Sequence, residues 1–158
     1  MKLVPLLFVS LLGLCVLLTG CGGVPKVGGF TVSVAGFRAI EAASPVNRAV
    51  ITLRFTSENL VALAFSGSSH KLYLNGSYVG QVKDETPLGL PPLGTATHDV
   101  TFTLENPGVV RQGLSLSDQA SYRLESVLYY DDLGEKHQVK TNYEGIVALH
   151  GLEAAASP

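Results

Sequence analysis

From Gly22 to Pro158 the chain has no cysteine, and nowhere in its 158 residues is there a tryptophan. The first absence excludes a disulfide, a thiolate metal site and a cysteine nucleophile from that stretch. A fold built there stands on core packing alone. The second absence removes the core tryptophan of true immunoglobulin domains. Charge is sparse, at 15% of residues, with 11 Lys and Arg set against 13 Asp and Glu. A nucleic-acid surface needs a basic patch, and no nucleic-acid partner is expected. No repeat of the ~20–50-residue period of solenoids occurs. The only low-complexity segment is the tail Ala154-Ala155-Ala156-Ser157-Pro158. A Gly-x-Ser-x-Gly elbow and a phosphate-binding glycine loop are both missing.

The two cysteines present, Cys15 and Cys21, stand near the start. Lys2 precedes an uncharged, mainly apolar run from Leu3 to Leu18, and Thr19, Gly20 and Cys21 follow. A basic start, an apolar run and a small-residue cleavage site make a secretory signal. With cysteine directly after the cut, Leu18-Thr19-Gly20-Cys21 resembles the bacterial lipoprotein signal. The resemblance implies cleavage before Cys21, a diacylglyceryl thioether on its sulfur and an acyl group on its amine. Residues 1–20 are then a signal peptide, and Cys15 leaves with it. The alternative is an uncleaved transmembrane helix. The run has 16 residues, short of the ~18 that suggest a span. Pro5 lies near its start, and no basic stop-transfer cluster follows.

Each buried methylene of an acyl chain contributes about 0.8 kcal/mol, and more than one chain gives stable anchoring. The expected location is therefore the bacterial cell envelope, with the membrane as a partner through acyl chains on Cys21. Gly22 follows the cysteine, where an aspartate usually signals inner-membrane retention. In a Gram-negative host this implies the outer membrane, facing the periplasm. The 138 residues from Cys21 onward are enough for one domain with a real core. They lose only Lys2 among the charged residues, which takes the formal charge from −2 to −3. A polybasic attraction to anionic lipid is not expected.

Residues 21–29 form the lipidated tether. After Cys21, the eight residues Gly22-Gly23-Val24-Pro25-Lys26-Val27-Gly28-Gly29 reach at most roughly 28 Å extended and about 16 Å as a coil. Residues 30–150 read as the folded domain and 151–158 as a flexible tail. Across the domain the apolar period is two. Phe30, Val32 and Val34 alternate with Thr31 and Ser33; Ile51, Leu53 and Phe55 with Thr52 and Arg54; Val100, Phe102 and Leu104 with Thr101 and Thr103. Tyr122, Leu124 and Leu128 share one parity, and Val139 leads to Ile146-Val147-Ala148-Leu149. These are half-buried strands. Asn75-Gly76 is a type I′ hairpin signal, and Asp131-Asp132-Leu133-Gly134 separates two more strands. The best helical candidate is a turn or two near Val109–Gln112. Leu60–Phe65 fits a buried strand or a short helix equally. About seven short strands with regular turns predict an all-β fold: an antiparallel β-sandwich of immunoglobulin or fibronectin III type, with at most a short helix. A small barrel is the alternative.

One pattern goes further. Val50-Ile51-Thr52-Leu53-Arg54-Phe55-Thr56-Ser57-Glu58-Asn59-Leu60 is followed by His70-Lys71-Leu72-Tyr73-Leu74-Asn75-Gly76, then by Leu90-Pro91-Pro92-Leu93-Gly94 and Val100-Thr101-Phe102. Over Phe30–Leu149 this resembles the late embryogenesis abundant type 2 family, also called the water stress and hypersensitive response domain. The family usually has Asn-Pro-Asn where this chain has Glu58-Asn59-Leu60, so its proline-set turn is lost. The resemblance implies a seven-stranded β-sandwich with a short helix and a link to desiccation and stress tolerance. It implies no defining catalytic activity.

The candidate chemistry reads as structural. His98 and Asp99 are strand neighbours, so they point to opposite faces and cannot form a dyad together; His98 is expected at the surface or a strand edge. Asp131, Asp132, Glu135 and His137 are too close-set for a calcium loop and suit a turn. Asp84-Glu85 reads as a solvated loop, and Ser66-Gly67-Ser68-Ser69-His70 as a turn before the Leu72 strand. Tyr129 and Tyr130 must face opposite ways, and cross-strand packing is the expected role of the tyrosines. No catalytic residue, metal ligand or cofactor is assigned. The expected function is non-enzymatic: a membrane-anchored envelope lipoprotein that binds or protects envelope components in desiccation or osmotic stress. The alternative is an envelope assembly or lipid-handling accessory with a protein partner or an apolar ligand, for which Leu60–Phe65 would line a groove.

Overall fold

The structure, a computed structural model, describes residues 28–40 and 48–150. The expected signal peptide, Cys21, the expected tether up to Val27 and the expected tail from Gly151 lie outside the described residues. Among the described residues, nine strands and one helix follow in order: β1 (Phe30–Ile40), β2 (Arg48–Ser57), β3 (Leu63–Phe65), β4 (Gly67–Leu74), β5 (Ser77–Asp84), β6 (Leu88–Leu90), β7 (Thr95–Leu104), α1 (Pro107–Leu116), β8 (Gln119–Asp132) and β9 (Glu135–His150). The all-β expectation and the single short helix agree with this. Proline at the start of α1 suits a first turn whose N–H groups have no partner within the helix.

Seven strands form one closed barrel in the order β1-β2-β7-β5-β4-β8-β9, and β3 and β6 form a separate two-stranded ribbon. The expected sandwich of immunoglobulin or fibronectin III type is thus corrected to a barrel. Two short seams account for the difference. β5 meets β7 only at Gly80↔Leu104 and Gln81↔Thr103. β1 meets β9 in parallel only at Phe37↔Leu149 and Arg38↔His150. All other barrel neighbours pair over long antiparallel registers, such as Phe30–Ile40 against Arg48–Ser57. Closure removes sheet edges along the long registers and leaves unpaired backbone only beyond the short pairings of the two seams.

Each seam depends on a particular side chain or its absence. A Cβ at Gly80 would lie 2.5 Å from the Thr103 carbonyl oxygen, so only glycine lets the two backbones approach. Near the other seam, the register of β1 on β2 shifts between Val34 and Gly36. The Val34 N–H donates to the Tyr122 hydroxyl at 3.1 Å. Tyr122 is opposite Gly145 on β9, and a Cβ there would come within 3.0 Å of its ring.

The barrel interior is filled. Val32, Phe37, Ile51, Leu53, Phe55, Leu72, Phe102, Leu124 and Leu128 are all at most 1% exposed. The β3–β6 ribbon closes one end, with the Phe65 ring 5.6 Å from Phe30 and edge-on to Tyr130 at 6.4 Å. The hairpin between β4 and β5 has left-handed φ at Asn75 and Gly76, +48° and +78°, as a type I′ turn requires.

Candidate functional site

Along β4 the residues Ser68, His70, Leu72 and Leu74 share the inward face. Opposite them, Asp84 pairs with Ser68 and Val82 with His70 on β5, and Ser126 with His70 on β8. On β7 the inward parity runs through His98, Val100 and Phe102. The pleat therefore gathers five polar residues, Ser126, His70, Ser68, Asp84 and His98, beside the β5–β7 seam.

His70 is fully buried. Its Nδ1 is 2.8 Å from Ser126 Oγ and its Nε2 is 2.8 Å from Ser68 Oγ. Burial pushes its pKa down from 6.5 to about 4, against the pull of the Asp84 charge. A neutral imidazole donates through one nitrogen and accepts through the other, so two hydroxyls satisfy it completely. The edge of this ring meets Phe55 at 6.1 Å.

Asp84 and His98 bridge the open part of the seam, with Asp84 Oδ2 2.7 Å from His98 Nε2. The Thr86 N–H donates to the other Asp84 oxygen at 3.0 Å. Burial alone would raise this carboxyl, but the hydrogen bonds from Thr86 and His98 outweigh it and hold it below the usual aspartate value. Two shallow clefts flank Asp84. One, of about 590 Å³, is lined by residues that include Ser66, Lys83, Tyr129, Asp131 and Lys136. The other, of about 280 Å³, runs along Val82–Asp84, Thr86 and His98–Thr101.

The structure separates His98 from Asp99 as strand geometry requires. His98 turns inward to Asp84, while Asp99 accepts from the Thr52 hydroxyl at 2.6 Å outside. It corrects three other readings. Asp84 ends β5 with a side chain only 15% exposed, so it is not in a solvated loop; Glu85, at 80%, is solvated and pairs with Lys83 at 2.9 Å. Gly67–His70 is part of β4, not a turn. Leu60 and Val61 are exposed at 81% and 59%, and only Phe65 of that stretch is buried; it packs on Phe30 and Tyr130.

Tyr73 pairs edge-on with Tyr78 across β4 and β5 at 5.5 Å, and the Arg123 guanidinium lies 4.1 Å above the Tyr73 ring. Tyr78 donates to Glu105 at 2.8 Å. Tyr130 stacks on His137, whose Nε2 is 3.9 Å from Glu135. Among the described residues no three His, Cys, Asp or Glu side chains converge as a metal site.

Sequence reasoning missed the inward polar cluster, although parity carried the signal. Ser68 and His70 are in phase with Leu72 and Leu74, and His98 with Val100 and Phe102. The turn-like composition of Ser66–Ser69 concealed it. The buried part of the cluster is saturated: among the described residues no buried side-chain nitrogen or oxygen lacks a partner. His70 has no free nitrogen to act as a base.

No family model matches the chain, and no curated protein matches it. Solved structures do. A solution structure of a protein from Arabidopsis thaliana is 13% identical, with a TM-score of 0.56, and the match covers 82% of this chain and 90% of that one. A crystal structure of a protein from Archaeoglobus fulgidus is 15% identical, with a TM-score of 0.44 over 76% of this chain and all of that one. An X-ray structure of a structural genomics target is 13% identical, with a TM-score of 0.48 over 83% and 95%. At such identity the likeness to the plant protein concerns the fold alone.

Proposed function

We propose that this protein is a non-enzymatic, acyl-anchored envelope lipoprotein of the late embryogenesis abundant type 2 kind. Its barrel holds another envelope component at the β5–β7 seam, and this contact serves the envelope in desiccation or osmotic stress. The observation that carries the reading is the shortness of that seam. β5 and β7 share two residue pairs, so the backbones of Val82–Asp84 and Asp99–Thr101 face one another without a ladder. An extended polypeptide segment can add its own hydrogen bonds to such edges. Lys83, Thr86 and Thr101 stand at the rim of the adjoining cleft. His70, with both ring nitrogens engaged, is not free to move a proton, which supports binding over catalysis at the buried end of the cluster.

The alternative, an envelope assembly or lipid-handling accessory, draws on the same seam. The filled interior favours a protein partner over a lipid carried inside the barrel.

A photo-crosslinking residue in place of Lys83, compared with one in place of the exposed Glu144 on β9, a strand that pairs with neither β5 nor β7, tests the site. A discrete protein adduct from position 83 alone is the expected result in intact envelopes. Equal adducts from both positions, or none from either, would remove the seam from consideration. The stress role is tested separately: deletion of the gene should lower survival on drying, and equal survival of deletion and parent would sink it.

A further inference from the structure

At the chain-entry end of the barrel, two loops carry apolar side chains that the core does not use. Leu60 and Val61 follow β2 and are 81% and 59% exposed; Leu93, before β7, is 64% exposed. The loops are joined to each other and to the root of the tether. The Leu93 N–H donates to the Asn59 carbonyl at 2.8 Å, and the Glu58 N–H donates to the Gly29 carbonyl at 2.6 Å. Asn59 Nδ2 also reaches that Gly29 carbonyl, at 3.5 Å.

Leu93 is held in an unusual way. Its φ is +49°, in the left-handed region that leucine disfavours and glycine adopts freely. The turn is closed by the Gly94 N–H donating to the Pro91 carbonyl at 3.2 Å. The backbone is strained, and the side chain it presents projects into solvent. Strand direction brings a further leucine to this end: β8 runs parallel in sense to β2, and Leu133, which is 99% exposed, follows its last residue.

We infer that the Leu60–Val61–Leu93 tip inserts into the bilayer that holds the acyl chains of Cys21. The inference rests on the acyl-anchor reading. Gly28 is seven residues after Cys21 in the sequence, a distance of at most about 25 Å extended and about 15 Å as a coil. An acylated Cys21 therefore holds Gly29, and the tip hydrogen-bonded beside it, within reach of the lipid interface. The occupant is the apolar boundary of the membrane rather than anionic headgroups, because Glu58–Val61 and Pro91–Gly94 contain no Lys or Arg.

The absence of native tryptophan makes a direct test available. Full-length chains carrying Leu60→Trp, Leu93→Trp or, at the opposite end, Leu116→Trp are processed in a bacterium and their acylation checked by intact mass. They are then reconstituted into neutral phosphatidylcholine vesicles with and without brominated acyl chains. Leu60→Trp and Leu93→Trp should emit to the blue and lose emission in brominated vesicles, at low and high salt alike. Leu116→Trp, 75% exposed in the wild type, should emit equally in both. Acylated chains whose tip emission resists bromine overturn the insertion and leave the anchor standing. A blue shift without quenching places the tip against protein, such as a second copy, and overturns the lipid assignment. A chain without acyl mass overturns the anchor and the inference together.

Discussion

His70 is fully buried, with serine hydroxyls 2.8 Å from both ring nitrogens, and this ties stability to pH in a defined window. In the unfolded chain the imidazole takes up a proton as pH falls through 6.5, whereas the folded protein resists until about pH 4. The unfolded state thus binds the extra proton between these values, and stability drops as pH falls across them. The full shift corresponds to roughly 3 kcal/mol. Asp84 acts in a lower window, since its carboxyl is held below the usual value and loses its contribution only under more acidic conditions. We expect urea unfolding to show the loss between pH 6.5 and 4. The His70→Gln variant should lack that part of the slope, though it is less stable at pH 7 by about 1–3 kcal/mol for its disturbed hydroxyl partners. A wild-type-minus-variant difference that stays flat with pH would contradict the burial of a neutral ring. Some of this was legible in advance. Asn75-Gly76 announces its own turn, because few other residues accept two left-handed φ values. His70 was not legible: the serines and glycine around it mimic a turn, and its hydroxyl partner on Ser126 is 56 residues away.

At the scale of elements, the strands were legible and their closure was not. Alternation reports which face of a strand is buried, but not which strand lies beside it. The sandwich expectation failed at the two seams, where a few long-range details join what alternation alone cannot. Gly80→Ala would set a Cβ 2.5 Å from the Thr103 carbonyl oxygen, against backbone that has little room to yield. We expect a loss of about 1–3 kcal/mol by denaturant unfolding, and faster amide exchange on the β7 side of β5. Exchange unchanged from wild type would mean that the seam tolerates separation. Tyr122→Phe tests the opposite seam without altering volume. It leaves the buried Val34 N–H without the hydroxyl that accepts from it, at a cost of about 1–3 kcal/mol. Wild-type stability in this variant would show that the bond from Val34 holds nothing. The β3–β6 ribbon was hidden for a different reason: Leu60–Phe65 looks uniformly apolar, yet its first two residues face solvent and only its last enters the core.

For the whole molecule, the question is how a packed barrel whose buried polar groups are all partnered would act at the membrane proposed for it. A filled interior and the absence of thiols beyond Cys21 direct attention to surfaces and to orientation. The chain-entry end carries Leu60, Val61 and Leu93, and the open part of the β5–β7 seam lies toward that same end, because β7 begins there. An anchored barrel that rests on its tip would therefore offer the seam close to the bilayer surface. On the acyl-anchor reading, the tether would set how tightly this orientation is imposed. Inserting about ten Gly and Ser residues after Gly22 more than doubles its length, and effective concentration falls roughly as the −3/2 power of length. Contact of the tip with lipid should then fall about threefold. Acylation and recovery in the membrane fraction should stay as they were. The Leu60→Trp emission in brominated vesicles reads the contact directly, and quenching undiminished by the insertion would mean that the short tether is not what holds the tip at the lipid. Loss of quenching together with loss of the Lys83 crosslink would tie orientation to partner binding. Loss of quenching with the crosslink retained would show that the seam finds its partner whatever the tilt of the barrel.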